Sequence, residues 1–206
     1  MAVTPAKENI LRKIRQALVN PVPQPFPHSE GAQSVFKPNT EDATIVFAEE
    51  FTKLQGKFAF CNDEADLKNQ LQQLFAQRNW SKIYFRENKI AELLNIASWN
   101  DLASCDASIT GCEYLVARTG TIVMSAAQQS GRTTSVYAPV HICIAYSSQV
   151  LFDLKEALSF LKQKYSGNIP SLITFASGPS RTADIEKTLV TGVHGPKEVY
   201  CFLIEG

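Results

Sequence analysis

The sequence predicts an α/β fold: a mixed, mainly parallel sheet with helices on both faces. Two patterns lead there. Short apolar runs alternate with segments whose apolar residues recur at helical spacing, the signature of parallel strands joined by crossover helices. In the middle of the chain, three apolar runs follow one another with no helical pattern between them. That reads as strand–turn–strand pairing and makes the sheet mixed. An apolar fraction of 45% in 206 residues supports one sizeable core.

Pro5 to Asn20 reads as an amphipathic helix, with Leu11, Ile14 and Leu18 on one stripe that Ile10 and Ala17 widen. Lys7, Arg12, Lys13 and Arg15 make it locally basic. The run PVPQPFP, with Pro21, Pro23, Pro25 and Pro27 at alternate positions, ends the helix and favours an extended arm. Residues 1–30 are thus helix and arm, and 31–206 a single α/β domain. The arm either folds back on the domain or packs on a neighbouring subunit of a homo-oligomer.

ATIVFA (43–48) and KFAFC (57–61) read as strands, followed by a helix on which Leu67, Leu71, Leu74 and Phe75 share a face. KIYFR (82–86) is the next strand and Glu87 to Ile96 the next helix. The consecutive runs are EYLVART, GTIVMSA and APVHICIA (113–119, 120–126 and 138–145). Gln149 to Tyr165 is a helix with Leu154, Ala157, Leu158 and Leu161 on one stripe. SLITFA (171–176) is a strand, Ala183 to Val190 a helix, and EVYCFLIE the last strand.

Twenty Lys and Arg balance twenty Asp and Glu, so no overall basic field invites nucleic acid. No run approaches the roughly 18 apolar residues of a membrane helix, and the N-terminus lacks the apolar core of a signal peptide. A cytoplasmic protein with neither nucleic acid nor membrane insertion is expected. Cys61, Cys105, Cys112, Cys143 and Cys201 are scattered without a Cys-x-x-Cys pair and read as structural thiols. Without clustered thiolates or imidazoles, no metal and no cofactor site is expected in this chain.

The densest chemistry lies in SGPSRTADIEKTLVTGVHGP, residues 177–196. It follows an expected strand and opens an expected helix, which would put its loop at the carboxyl end of the sheet, where open α/β folds bind ligands. Gly178 permits close backbone approach, Ser180 and Thr182 offer hydroxyls, and Arg181 a bidentate cation. That is an anion site, or equally an ordinary strand–loop–helix joint. Asp184 and Glu186 suit the first turn of the following helix. His194, in a turn tightened by Gly192, Gly195 and Pro196, is a candidate general base, or a solvent-facing or capping residue. His141 reads as a half-buried strand histidine.

Thr119, Gly120 and Thr121, and the loop 130–135 with Arg132, can cradle an anion or simply connect strands. Glu113, entering an apolar run, is a candidate acid, base or nucleophile, or an exposed strand-end residue. The sequence contains no G-x-S-x-G, P-loop, H-E-x-x-H or G-x-G-x-x-G motif.

ITGCEYLVARTGTIV at 109–123, PVHI at 139–142 and GPSRTADIEKTLVTGVHGP at 178–196 resemble the LUD-domain family, in its lactate-utilization protein C branch. The resemblance implies a Rossmann-like fold similar to the sugar-phosphate isomerase/CoA-transferase superfamily. It also implies oxidation of L-lactate to pyruvate beside partner proteins that carry iron–sulfur clusters. The matching positions are Thr119, Gly120, Thr121, His141, Gly178, Pro179, Ser180, Arg181, Asp184, Glu186, His194, Gly195 and Pro196. Arg118 stands where that family commonly has an acidic residue. Three functions stay open: a component of a lactate-oxidising system that binds a small anionic metabolite, an autonomous isomerase or CoA-transferase-like enzyme on a phosphorylated or acyl substrate, and an interaction module working through the basic helix and arm.

Overall fold

The computed structural model describes residues 5–19, 41–182 and 190–206, and the chain divides into two units, Met1–Pro38 and Asn39–Gly206. The first unit holds helix α1 (Pro5–Val19), the amphipathic helix of the sequence. The proline arm lies outside the described residues. So does most of the helix expected over 183–190, with Asp184 and Glu186; only its last residue, Val190, is described.

The second unit runs α2 (Ala43–Lys53), β1 (Lys57–Cys61), α3 (Glu64–Arg78), β2 (Ile83–Tyr84), α4 (Asn88–Leu94), β3 (Ala107–Thr110), β4 (Tyr114–Val116), β5 (Thr121–Ser125), α5 (Thr134–Tyr137) and β6 (Val140–Tyr146). It continues through β7 (Val150–Leu151), α6 (Leu154–Lys164), β8 (Ile173–Ala176), β9 (Arg181–Thr182), β10 (Val190–Thr191) and β11 (Glu198–Ile204).

Five strands form an all-parallel sheet in the order β1-β11-β6-β3-β2. Alternate residues of these strands feed two cores, as the pleat requires. On one face Ile109, Ile142 and Phe202 pack with Leu67 and Leu71 of α3 and Ile90 of α4. On the other, Cys143, Ala145, Cys201 and Leu203 meet α2 and a second sheet, through Phe47, Phe51, Leu115 and Ile122. That second sheet has the order β7-β4-β5-β8, and α6 backs it with Ala157 and Leu161 against Val116 and Val123.

Four elements depart from the sequence reading. Residues 43–48 begin a helix, not a strand. Asp42 Oδ1 caps it, accepting from the Thr44 and Ile45 backbone N–H groups (2.7 and 3.4 Å), and Phe47 and Phe51, one turn apart, are both fully buried. This packing and the cap outweigh the strand preference of Thr44-Ile45-Val46. Asp42→Ala should cost about 1 kcal/mol, seen as a lower denaturation midpoint with the m-value unchanged.

The pair EYLVART and GTIVMSA forms the antiparallel β4–β5 hairpin, but APVHICIA becomes β6 of the parallel sheet, cut off from β5 by α5. β3 has no counterpart among the expected strands: its polar residues, Ser108 and Thr110, are buried and hide an apolar pattern. The helix expected from Gln149 starts at Leu154, because Val150 and Leu151 pair with β4 and Asp153 caps α6 through Lys155 N (3.0 Å). Among the described residues, no helix is long and apolar enough to cross a membrane.

Candidate functional site

β8 pairs antiparallel with β5 in the second sheet, and this relocates the loop that follows it. Residues 177–180 lie beside the amino ends of β6 and β11, not at the carboxyl end of the parallel sheet. Two backbone bonds hold Ser180 there, Ser180 N donating to Pro196 O (3.0 Å) and Gly192 N to Ser180 O (2.9 Å), while Lys197 N donates to Pro139 O (2.8 Å) between the starts of β11 and β6.

A cavity of about 320 Å³ results, lined by His141, Ser135, Thr174, Ser177, Gly178, Ser180 and His194 among others. Among the described residues, four hydroxyl-bearing side chains and two histidines line it, and no carboxylate does. Gly178, at φ +85°, allows the chain to pass so close to the end of α2 that a Cβ would stand 2.4 Å from Leu54 O. His194 is exposed on the rim. His141 is 1% exposed, with Nε2 2.8 Å from Thr110 Oγ1. Burial pushes its pKa down to about 4, so this imidazole is neutral at physiological pH.

The other anion-binding candidates are distributed elsewhere. The Arg181 guanidinium donates to the Leu54 carbonyl, and Thr182 pairs with Val190 in the β9–β10 ribbon. Arg132 is exposed and donates to Ser171 Oγ (2.5 Å). Thr119, Gly120 and Thr121 line neither this cavity nor the larger one described below. Thr121 Oγ1 lies 2.8 Å from Thr119 Oγ1 and 2.7 Å from Ser177 Oγ, so the turn supports the cavity wall from behind. Arg118 Nε lies 2.9 Å from Asp153 Oδ2, an ion pair by distance though not aligned as a hydrogen bond. The cation at this unusual position thus sits against the cap of α6.

The carboxyl edge of the parallel sheet holds a larger cavity, about 660 Å³, between the ends of β2, β3 and β6, the start of α4 and the end of α6. Glu113 is on its wall. It is 3% exposed, unlike the solvent-facing strand-end alternative. Its Oε1 accepts from the Ser125 and Tyr165 hydroxyls, and Oε2 lies 2.6 Å from Lys164 Nζ. Burial alone would raise the carboxyl pKa; the Lys164, Ser125 and Tyr165 donors outweigh it and hold the group below the usual carboxylate range.

A group held low in this way stabilises the fold above the unfolded carboxyl pKa and loses that contribution as pH falls through the lower folded value. Glu113→Gln should therefore cost about 2 kcal/mol at neutral pH. Denaturation midpoints of variant and parent should converge only once the pH has fallen through the lowered folded pKa, below the usual carboxylate range, where the parent carboxylate is protonated as well.

Glu87, Lys164 and Tyr165 of this cavity escaped the sequence reading. Glu87 Oε1 accepts from Gly111 N (2.9 Å) and Ser130 Oγ (2.6 Å). The only local signal was its position directly before a helix that follows a strand. Lys164 and Tyr165 are 51 and 52 residues from their carboxylate partner, so no spacing rule reaches them. Glu113 and His194, the two candidate catalytic groups, line different cavities and do not form one acid–base pair. All five cysteines are free and buried. Burial raises Cys61 to about 11, while the neighbouring Cys143 thiol and then burial push Cys112 well above the usual thiol range.

Known proteins are similar to this chain in sequence and in fold. The LUD domain model matches residues 99–204, just over half of the chain and including every lining residue of the amino-edge cavity. Lactate utilization protein C of Bacillus licheniformis is 35% identical over 99 residues, which cover 47% of this chain and 41% of that protein. The chain therefore matches less than half the length of that relative. The protein of the same name from Anoxybacillus flavithermus is 27% identical over 183 residues, 80% of this chain and 81% of the other. The crystal structure of a DUF162 family protein from Deinococcus radiodurans shares the Rossmann-like fold, with a TM-score of 0.61 at 17% identity, covering 82% of this chain and 99% of that one. The chain belongs to the LUD domain family.

Proposed function

We propose that the chain is a cytoplasmic component of an L-lactate utilization system, oxidising L-lactate to pyruvate together with partner proteins that carry the iron–sulfur clusters. Its own part is to hold a small anionic ligand. One observation carries the reading: His141, residues 178–180 and residues 194–196 of the matched segments converge on one cavity that, among the described residues, is rich in hydroxyls and has no carboxylate on its lining. Ser180 and His194 are the donors for the anion, with the neutral His141 as the fixed floor. The names of the Bacillus and Anoxybacillus relatives support the choice of metabolite.

A strain lacking the gene should lose growth on L-lactate, and the parent gene, but not His194→Ala or Ser180→Ala, should restore it. Normal growth of the deletion strain would sink the reading. Co-purification of tagged protein with iron–sulfur proteins tests the partners.

The buried, ionised Glu113 on the larger cavity favours a second reading, an autonomous isomerase or CoA-transferase-like enzyme. It predicts isomerisation or thioester exchange by the purified chain that Glu113→Gln abolishes.

A further inference from the structure

We infer that the cavity at the carboxyl edge of the parallel sheet is a second ligand site, built for a small hydroxycarboxylate; only the choice of L-lactate as first probe rests on the function proposed above. β2, β3 and β6 all run towards this cavity, the position at which parallel α/β sheets take ligands. Glu87 and Glu113 each stand three residues beyond their strands, β2 and β3.

Both carboxylates are pinned by one oxygen. Glu87 Oε1 takes the Gly111 N–H and the Ser130 hydroxyl, and Glu113 Oε1 takes the Ser125 and Tyr165 hydroxyls. The acceptor capacity left to each is on Oε2, which for Glu113 receives Lys164. Glu87 Oε2 lies so close to Gly111 that a Cβ there would be 2.9 Å away, so the bare glycine lets the carboxylate lie against the strand end. A ligand hydroxyl is a matching donor for Glu87 Oε2.

Other lining groups have the opposite character. Gln128 Oε1 accepts from Ser125 N (2.9 Å) and Gln129 Oε1 from Asn88 N (2.8 Å). The remaining NH2 ends of both amides are donors, and the Lys89 ammonium joins them on the lining. These suit a ligand carboxylate. Ile90, Leu93 and Ile144 supply an apolar surface for its carbon skeleton.

Charge narrows the class. Two carboxylate residues, Glu87 and Glu113, and two lysines, Lys89 and Lys164, are on the lining. A simple anion would bring no donor for Glu87 Oε2, and a simple cation would leave the amide and Lys89 donors unpaired. A molecule with hydroxyl donors at one end and one carboxylate at the other satisfies both sets. The volume admits gluconate as well as L-lactate. This site also differs from the amino-edge cavity in origin: Glu87 and α4 precede the segment matched by the LUD domain model.

Titration of the full chain with L-lactate, gluconate, propionate and L-alanine, read by calorimetry and saturation-transfer NMR, tests the site. The hydroxycarboxylates should bind, with propionate at least about tenfold weaker because it brings no hydroxyl for Glu87 Oε2. Lys89→Met, on the exposed first turn of α4, and Glu87→Gln should each weaken hydroxycarboxylate binding at least about tenfold. Circular dichroism of each variant checks its fold, and Lys89→Met keeps the test valid if Glu87→Gln fails to fold.

Three results would overturn the site: no hydroxycarboxylate binding, equal or tighter binding of propionate or L-alanine, or parent-like binding by the folded variants. Growth separates the two proposals. A deletion strain that grows normally on L-lactate overturns the lactate-utilization reading, while gluconate titration still decides the cavity. A growth defect accompanied by parent-like binding in the variants overturns the cavity alone.

Discussion

Gly120→Ala is expected to destabilise the domain by about 3–5 kcal/mol. Two costs combine. Gly120 adopts φ +54°, and an L-residue in this left-handed region loses about 1–2 kcal/mol. The new Cβ would also stand 2.4 Å from Phe51 N, 2.6 Å from Glu50 C and 2.8 Å from Phe51 Cα. These are backbone atoms of α2, with no side chain to swing aside. Relief requires moving the helix, and Phe47 and Phe51 anchor it in the core at full burial. Equilibrium denaturation of the variant should show the loss as a lower midpoint. A change below about 1 kcal/mol would mean that α2 retreats freely, against the packing described. The experiment also separates two roles for the Thr-Gly-Thr turn, since a helix-packing glycine alters stability whether or not a ligand is present.

The second large effect is a pH dependence centred on His141. The unfolded chain takes up a proton at this histidine near pH 6.5, whereas the buried imidazole resists until about pH 4. Between those values the unfolded state binds more protons, so stability is fully present above pH 6.5 and falls as pH drops to 4. Each unit of separation is worth about 1.4 kcal/mol, which makes the whole loss about 3 kcal/mol. His141→Asn keeps a polar partner for Thr110 while removing the titration. Its stability should change less than the parent's between pH 7 and 4.5, measured by denaturant midpoints. Parallel curves for the two proteins would refute the assignment. The Glu113 contribution is lost at lower pH, below the ordinary carboxyl range, so the two effects occupy separate windows.

Local periodicity made several elements legible. The stripe of Leu67 and Leu71 in α3, the run of β1, and the long apolar β11 all appear where their spacing predicts them. Spacing failed where burial was decided from a distance. Thr44-Ile45-Val46 reads as a strand until Asp42 caps the segment and the core takes Phe47 and Phe51. β3 is hidden because its Ser108 donates to Thr134 O and its Thr110 meets His141, partners 26 and 31 residues away. The candidate site was legible in part. His194, Gly178 and Ser180 were readable as a motif, and the structure brings them to one cavity. Glu113 was recognised as chemically placed, but its Lys164 and Tyr165 donors come from the far end of α6, beyond any local pattern.

By itself the sequence determined the α/β class, the hairpin of the middle segment and the residues of the C-terminal motif, because strand and helix periodicities and turn chemistry are properties of neighbouring residues. The tertiary structure alone decided at which edge of the sheet the motif's residues 178–180 and 194–196 lie. Strand direction is set by pairing partners, and β8 finds β5 rather than the parallel sheet. That one antiparallel pairing carries the motif loop to the amino edge and leaves the carboxyl edge to Glu87 and Glu113.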